Sequence, residues 1–90
     1  MIHVNILVTG KVQRIGFRFT SMQTAVKLGV NGFVMNVDQD KVYIEAEGEE
    51  NKVEEFINWC KKGPTWANVK QISVEKGVVK SFTSFEILPK

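Results

Sequence analysis

The residues best suited to chemistry form a short basic loop near the start of the chain. Residues 10–18 carry three cations, Lys11, Arg14 and Arg18, between and beside glycines. A turn that leads into a helix can aim backbone N–H groups at one point, and the helix start adds partial positive charge there. Arg18 would bring a planar fork of donors to the same point. This arrangement suits a phosphate group, although spacing alone favours a loop of solvated basic residues.

Composition excludes several other kinds of site. The chain has one cysteine, Cys60, and one histidine, His3, so it can form neither an intramolecular disulfide nor a zinc site built from cysteines or a histidine pair. We therefore expect no metal and no cofactor. No apolar run approaches the roughly 18 residues of a membrane helix. A cytoplasmic protein with no membrane partner is the expectation.

Size and charge limit the chemistry further. The 90 residues are 43% hydrophobic, which predicts one folded domain over residues 1–90. We expect this domain to act as a monomer. The net charge of +2 produces a weak field, which suits a small anion at least as well as nucleic acid. An enzyme of this size would perform simple chemistry on a small substrate.

The elements that must position the loop follow from hydrophobic periodicity. Apolar residues alternate along residues 2–8 as in a strand, and Gly10 ends that pattern. Further segments predict a helix over 17–28, strands over 30–36 and 42–46, a helix after Gly48, and strands over 69–74 and 85–88, with Gly77 in a turn. The order is β-α-β-β-α-β with a terminal strand. It predicts an α+β, ferredoxin-like split βαβ sandwich, in which two helices cover one face of an antiparallel sheet.

Two segments of the chain resemble the acylphosphatase family. The pattern Gly-x-Val-Gln-Gly-Val-x-Phe-Arg is the family's phosphate-loop signature, and residues 10–18 are similar to it. Residues 32–36, Gly-Phe-Val-Met-Asn, resemble a second family segment, and Lys41-Val42 aligns with the end of the turn that follows. The resemblance extends over essentially the whole chain. It implies a metal-independent hydrolase that splits the carboxyl–phosphate bond of small acyl phosphates by direct attack of water.

The resemblance also implies which residues act. Arg18 would hold the phosphate and Asn36 would orient the attacking water. A substrate phosphate, or inorganic phosphate or another small anion, would be bound by a loop made of Val12, Gln13, Arg14, Ile15, Gly16, Phe17 and Arg18. The residue types fit, because a carboxylate leaving group needs no general acid and phosphoryl transfer relies on positioning and charge. Neither arginine nor asparagine acts as a base.

Two positions depart from the family pattern. Arg14 and Asp40 stand where the family usually has glycine. A positive φ at Arg14 would cost about 1–2 kcal/mol, whereas a negative φ would make the change harmless. Asp40 is the milder change, because aspartate tolerates left-handed turns.

Two alternative functions use the same fold. A non-catalytic module could bind phosphate or carbamoyl phosphate at the loop without turnover. An RNA-binding module shares the element order but needs aromatic residues on its central strands, and Tyr43 is the one such residue on the third strand. We therefore expect no nucleic-acid partner.

The remaining polar and aromatic residues have structural interpretations. We expect a buried thiol at Cys60, a surface or sheet-face position for His3, and a solvated sheet face carrying Glu45 and Glu47. Phe17 should anchor the loop in the core. For Gln13, a structural hydrogen bond and a phosphate contact remain equally open.

Overall fold

The structure is a computed structural model, which describes residues 1–89. Five strands and two helices follow one another along the chain: β1 (Ile2–Lys11), α1 (Phe17–Leu28), β2 (Asn31–Val37), β3 (Lys41–Gly48), α2 (Glu50–Lys62), β4 (Asn68–Gly77) and β5 (Phe85–Ile87). The predicted bounds of α1 are confirmed to the residue. Gly77 is the last residue of β4 rather than part of a turn, because the strand stays paired with β1 as far as His3. Neither helix among the described residues is long and apolar enough to cross a membrane.

The five strands form one sheet in the order β4-β1-β3-β2-β5. The first four strands pair antiparallel, as predicted. The prediction of a wholly antiparallel sheet is wrong for β5, which pairs parallel to β2 with Phe85 beside Gly32 and Ile87 beside Val34. The reason is the path of residues 78–84, which we call the crossing segment. This segment carries the chain from the β4 edge of the sheet to the opposite edge. There β5 runs in the direction opposite to β4, which is the direction of β2.

The hydrophobic core lies between one face of the sheet and the two helices. Alternate residues of the central strands, such as Ile6 on β1 and Ile44 on β3, are fully buried there. Phe56 and Cys60 meet them from α2, and Ala25 from α1. The prediction of a buried thiol is confirmed, and burial raises the pKa of Cys60. The helices therefore cover one face of the sheet, as the ferredoxin-like prediction required.

The opposite face carries a buried polar cluster in place of the predicted solvated surface. His3, Glu45 and Glu47 are only 2%, 7% and 2% exposed. The His3 ring lies between the two carboxylates, with Nδ1 2.8 Å from Glu47 Oε1 and Nε2 3.0 Å from Glu45 Oε1. The prediction of a solvated face for Glu45 and Glu47 is therefore wrong, whereas His3 takes the sheet-face position of its two predicted alternatives.

The crossing segment is what covers this cluster. Lys80 donates from its backbone N–H to Glu47 Oε1 at 2.9 Å and from Nζ to Glu45 Oε1 at 2.9 Å. The Phe82 N–H donates to the second oxygen of Glu47, and its ring packs 5.8 Å from the His3 ring. Periodicity within a strand cannot show that a distant segment will lie across it.

This cluster should make the fold sensitive to acid. Burial works to raise the pKa of Glu47, but hydrogen bonds from His3 and from the Lys80 and Phe82 backbone outweigh it, so the pKa lies below its ordinary 4.5. A lowered pKa in the folded state adds stability above the unfolded value, and that stability is lost as pH falls through the folded value. We expect Glu47→Gln to lower the free energy of unfolding by about 1.5–3 kcal/mol at pH 7.

Urea unfolding at pH 7 and at pH 3 measures this effect. The difference between wild type and Glu47→Gln should shrink at pH 3, because the wild-type carboxyl is then losing its charge. Glu54→Gln is the matched control, since Glu54 is exposed on α2. An equal loss of stability at both pH values would contradict the assignment.

Candidate active site

The loop after β1 begins at an irregularity in the strand. The β1–β4 register shifts between Thr9 and Gly10, where Gly10 has φ 142°. A Cβ at Gly10 would lie 2.2 Å from the carbonyl oxygen of Asn68, so only glycine fits. The Gly10 N–H donates to the carbonyl of Asp40 at 2.9 Å. The irregularity thus sends the chain into the loop beside the β2–β3 turn.

Backbone N–H groups are concentrated in this loop without partners. Among residues 1–89, the amides of residues 13–18 donate no hydrogen bond, and the first amide satisfied by α1 is that of Thr20, bonded to the Gly16 carbonyl. Free amides at a helix start carry partial positive charge and form a common binding site for anions. Gly16 precedes the helix with φ 81°, which turns the loop into its first turn.

Two buried side chains hold the ends of the loop. Val12 and Phe17 are each 1% exposed, and the Phe17 ring packs 5.3 Å from the Trp59 ring of α2. The prediction that Phe17 anchors the loop is confirmed. Ile15 also packs against the core, so it contributes its backbone rather than its side chain to the loop's open side.

Gln13 ties the loop to the β2–β3 turn. Its Nε2 lies 2.8 Å from the carbonyl oxygen of Lys41, 3.1 Å from that of Asp38 and 3.3 Å from that of Val37. Of the two roles left open for this side chain, the structure supports the structural hydrogen bond. The loop is thereby fixed against the strand that carries Asn36.

Arg18 and Asn36 meet in front of the loop. Arg18 is the second residue of α1, and no carboxylate among the described residues forms an ion pair with it. Asn36 pairs with Val42 on the helix side of the sheet. Its Oδ1 is buried and accepts no hydrogen bond from residues 1–89. Such an atom is costly unless it finds a donor, so it is suited to a water or ligand in the cleft.

Two clefts adjoin at these side chains. Both are lined by Val12, Arg14, Arg18 and Asn36. The polar cleft continues along Lys11, Gln13, Asp38 and Gln39. The apolar cleft, about 210 Å³, continues along Gly16, Phe17, Phe19 and Ile87.

Comparison with known proteins shows the family of the chain. The sequence profile of the Acylphosphatase family matches residues 4–87. This chain belongs to the acylphosphatase family. An acylphosphatase of Archaeoglobus fulgidus is 39% identical over 87 residues, covering 97% of this chain and 98% of the relative.

Solved structures agree with the family assignment. The crystal structure of acylphosphatase from Bacillus subtilis superimposes with a TM-score of 0.94 at 35% identity, covering 98% of this chain and 99% of that one. A crystal structure of full-length HypF in a phosphate- and nucleotide-bound form matches with a TM-score of 0.89 at 34% identity, covering 97% of this chain and 12% of that chain. The ferredoxin-like acylphosphatase fold predicted for the chain is therefore confirmed.

The structure gives the backbone conformations of Arg14 and Asp40, the two residues that depart from the acylphosphatase pattern. Arg14 has φ 64°, in the left-handed region, which costs a side-chain-bearing residue about 1–2 kcal/mol. In the β2–β3 turn, Asp38 with φ 56° is the left-handed residue, and Asp40 is not. The tolerance of aspartate for left-handed turns is therefore used at Asp38 and not at Asp40. The turn places its left-handed residue directly after β2, two positions before Asp40.

The left-handed Arg14 predicts a difference between two variants. Arg14→Gly and Arg14→Ala remove the same charge, but only glycine relieves the backbone. We expect Arg14→Gly to be more stable to urea than Arg14→Ala by about 1 kcal/mol, and both to bind phosphate several-fold more weakly than wild type. Arg14→Lys keeps the charge and should bind phosphate as wild type does. Equal stabilities of the glycine and alanine variants would contradict the strain at this position.

Sequence reasoning missed the apolar half of the site in this acylphosphatase. Phe19 and Ile87 line the apolar cleft beside Arg18 and Asn36, although neither was predicted from the sequence as a site residue. Phe19 directly follows Arg18 in the loop-to-helix turn, which was a signal available in the sequence. Ile87 had none, because its position depends on the parallel pairing of β5.

Proposed function

We propose that the chain hydrolyses the carboxyl–phosphate bond of small acyl phosphates at the junction of the two clefts. Support comes from the family and above all from three features that line the same space: Arg18, the Asn36 oxygen and the backbone amides of residues 13–18. Within residues 1–89, Arg18 has no acidic partner, and neither the Asn36 oxygen nor these amides have a hydrogen-bond partner. Donors of these kinds are complementary to a phosphoryl group and an attacking water.

The phosphate is held by the loop and by Arg18. Backbone amides of residues 13–18 donate to the phosphoryl oxygens, and the Arg18 guanidinium donates a planar pair of hydrogen bonds to two of them. Lys11 and Arg14 add positive charge at the mouth. Because phosphoryl transfer passes through a loose transition state, these fixed donors stabilise the charge on the equatorial oxygens.

The attacking water is oriented by Asn36. Its Oδ1 accepts a hydrogen bond from the water and directs the water's lone pair toward phosphorus. The new O–P bond forms as the P–O bond to the acyl group breaks, and the bonding electrons leave with the carboxylate. The water's second proton passes to a phosphoryl oxygen, giving a carboxylate and dihydrogen phosphate.

The charges around the clefts favour this route for the proton. Asp38 is the one carboxylate among the described residues that line them. Its Oδ2 lies 3.8 Å from the Lys41 ammonium, at the exposed turn. The leaving carboxylate is stable without a proton, so no general acid is needed.

Phosphate release from benzoyl phosphate in the presence of EDTA tests the proposal. We expect turnover by the purified chain without added metal, and competitive inhibition by inorganic phosphate. The second candidate function, a phosphate-binding module without turnover, is favoured by the similarity to a 12% portion of HypF. Phosphate binding with no hydrolysis would establish that candidate and exclude the enzyme.

We propose further that the chain works as a cytoplasmic monomer. The loop, Arg18 and Asn36 line clefts within one copy of the chain, and the buried Cys60 thiol requires no oxidising compartment. Sedimentation at micromolar concentration should give the mass of a single chain, 10.2 kDa.

A further inference from the structure

Two exposed apolar side chains lie beside the junction of the two clefts. Phe19 is 55% exposed and Ile87 is 39% exposed, and both line the apolar cleft with Arg18 and Asn36. Exposed apolar residues scattered singly need no explanation, but a pair that forms one wall of a cleft indicates an apolar ligand.

The fold brings these two side chains together from distant parts of the chain. Phe19 lies in the first turn of α1, immediately after Arg18. Ile87 pairs in parallel with Val34, which is two residues before Asn36 on the same face of β2. Ile87 therefore points to the helix side at the sheet edge, where it faces the beginning of α1 across the cleft.

We propose that this apolar cleft is the subsite for the acyl group, and that Phe19 and Ile87 determine which acyl phosphates are preferred. The assignment rests on the proposed function, which places the phosphate at the residues shared by both clefts. The acyl group then extends along Phe17, Phe19 and Ile87, and the attacking water approaches from the side of the polar cleft.

The chemistry of the walls defines the substrate class. At about 210 Å³ the cleft is smaller than the roughly 300–1,000 Å³ of sites for drug-sized ligands, so it fits a single ring or a short hydrocarbon chain. Phe17, Phe19 and Ile87 form its apolar end. Their side chains offer no hydrogen-bond partner to an amine or a carboxylate on the acyl group. Burying such a group without a partner is unfavourable. Aromatic and branched aliphatic acyl phosphates should be preferred to acetyl phosphate and to acyl phosphates with a charged group.

Substrate selectivity measures the subsite separately from the chemistry. We compare kcat/KM for benzoyl phosphate and acetyl phosphate in wild type, Phe19→Ala, Ile87→Ala and the double variant. Each single change should lower the benzoyl-to-acetyl ratio by about threefold, and the double change by about tenfold, because partly exposed walls contribute less than a closed pocket. Val26→Ala is the matched control, since Val26 is an exposed apolar residue on α1 that lines neither cleft. A ratio that stays at the wild-type value in the double variant would overturn the proposal.

A binding measurement separates failure of the subsite from failure of the proposed function. Phenylphosphonate and methylphosphonate carry the same anionic head and cannot be hydrolysed, so calorimetric titration reports the subsite without turnover. Wild type should bind phenylphosphonate about tenfold more tightly, and the double variant should bind both equally. Equal binding by wild type would exclude the subsite whether or not acyl phosphates are hydrolysed. Tighter phenylphosphonate binding without any hydrolysis would keep the subsite and exclude the enzyme. Phe19→Leu and Ile87→Val provide milder changes if the alanine variants do not fold.

Discussion

Replacing Arg18 by alanine should lower kcat/KM for benzoyl phosphate by about 10³-fold or more, the effect of an arginine that stabilises the charge of a transferring phosphoryl group. The change removes both a positive charge and a planar pair of donors from the junction of the clefts. Arg18 has no acidic partner among the described residues, so no carboxylate is left uncompensated. The free energy of unfolding should therefore change by no more than about 0.5 kcal/mol.

Two further variants show what Arg18 contributes. Arg18→Lys keeps the charge but loses the fork, and should recover only part of the lost rate. Lys11→Ala removes a neighbouring exposed cation that lies at the mouth of the polar cleft, and should reduce kcat/KM by only a few-fold. Equal losses in Lys11→Ala and Arg18→Ala would mean that general positive charge acts here, rather than a positioned arginine.

Replacing Asn36 by alanine should lower kcat by about 10²–10³-fold while phosphate affinity stays within about threefold of wild type. Asn36 is proposed to orient water rather than to hold the phosphate, so its contribution is made in the transition state. A loss in kcat without a rise in KM is the signature of such a group. Steady-state kinetics and calorimetric titration of phosphate provide the two readouts.

The matched control for Asn36 lies on the same strand. Asn31 also belongs to β2, and its Nδ2 donates 3.0 Å to the carbonyl of Phe82 in the crossing segment, away from the clefts. Asn31→Ala should reduce stability and leave kcat close to wild type. If Asn36→Ala weakened phosphate binding as strongly as turnover, the residue would be a phosphate ligand and the proposed water-orienting role would be wrong.

The parts of the fold that sequence alone predicted are those set by local pattern. Alternation identified β1, and the end of α1 was predicted because glycine is a common helix stop; Gly29 has φ 75° in the structure. The direction of β5 could not be predicted, since three residues carry no signal for which neighbour they will pair with. The burial of Glu47 was missed for a related reason: the two backbone groups that cover it, those of Lys80 and Phe82, lie more than thirty residues later in a segment without regular structure.

The candidate site likewise has features that the sequence predicted and features that it could not predict. The loop and Asn36 were predicted because their residue types and spacing resemble a family pattern. The hydrogen bonds of Gln13 and the left-handed φ of Arg14 are properties of how the loop sits against the β2–β3 turn. No pattern within the loop contains that information.

The position of Ile87 on the outermost strand has a consequence for how relatives can diverge. β5 is three residues long and has a hydrogen-bonded neighbour on one side only. Substitutions there can reshape the apolar wall without removing the contacts that hold the loop, which are the packing of Phe17 on Trp59 and the hydrogen bond of Gln13 to Lys41. Substitutions at this edge strand could therefore change substrate preference during evolution, while the residues proposed for phosphoryl transfer stay the same.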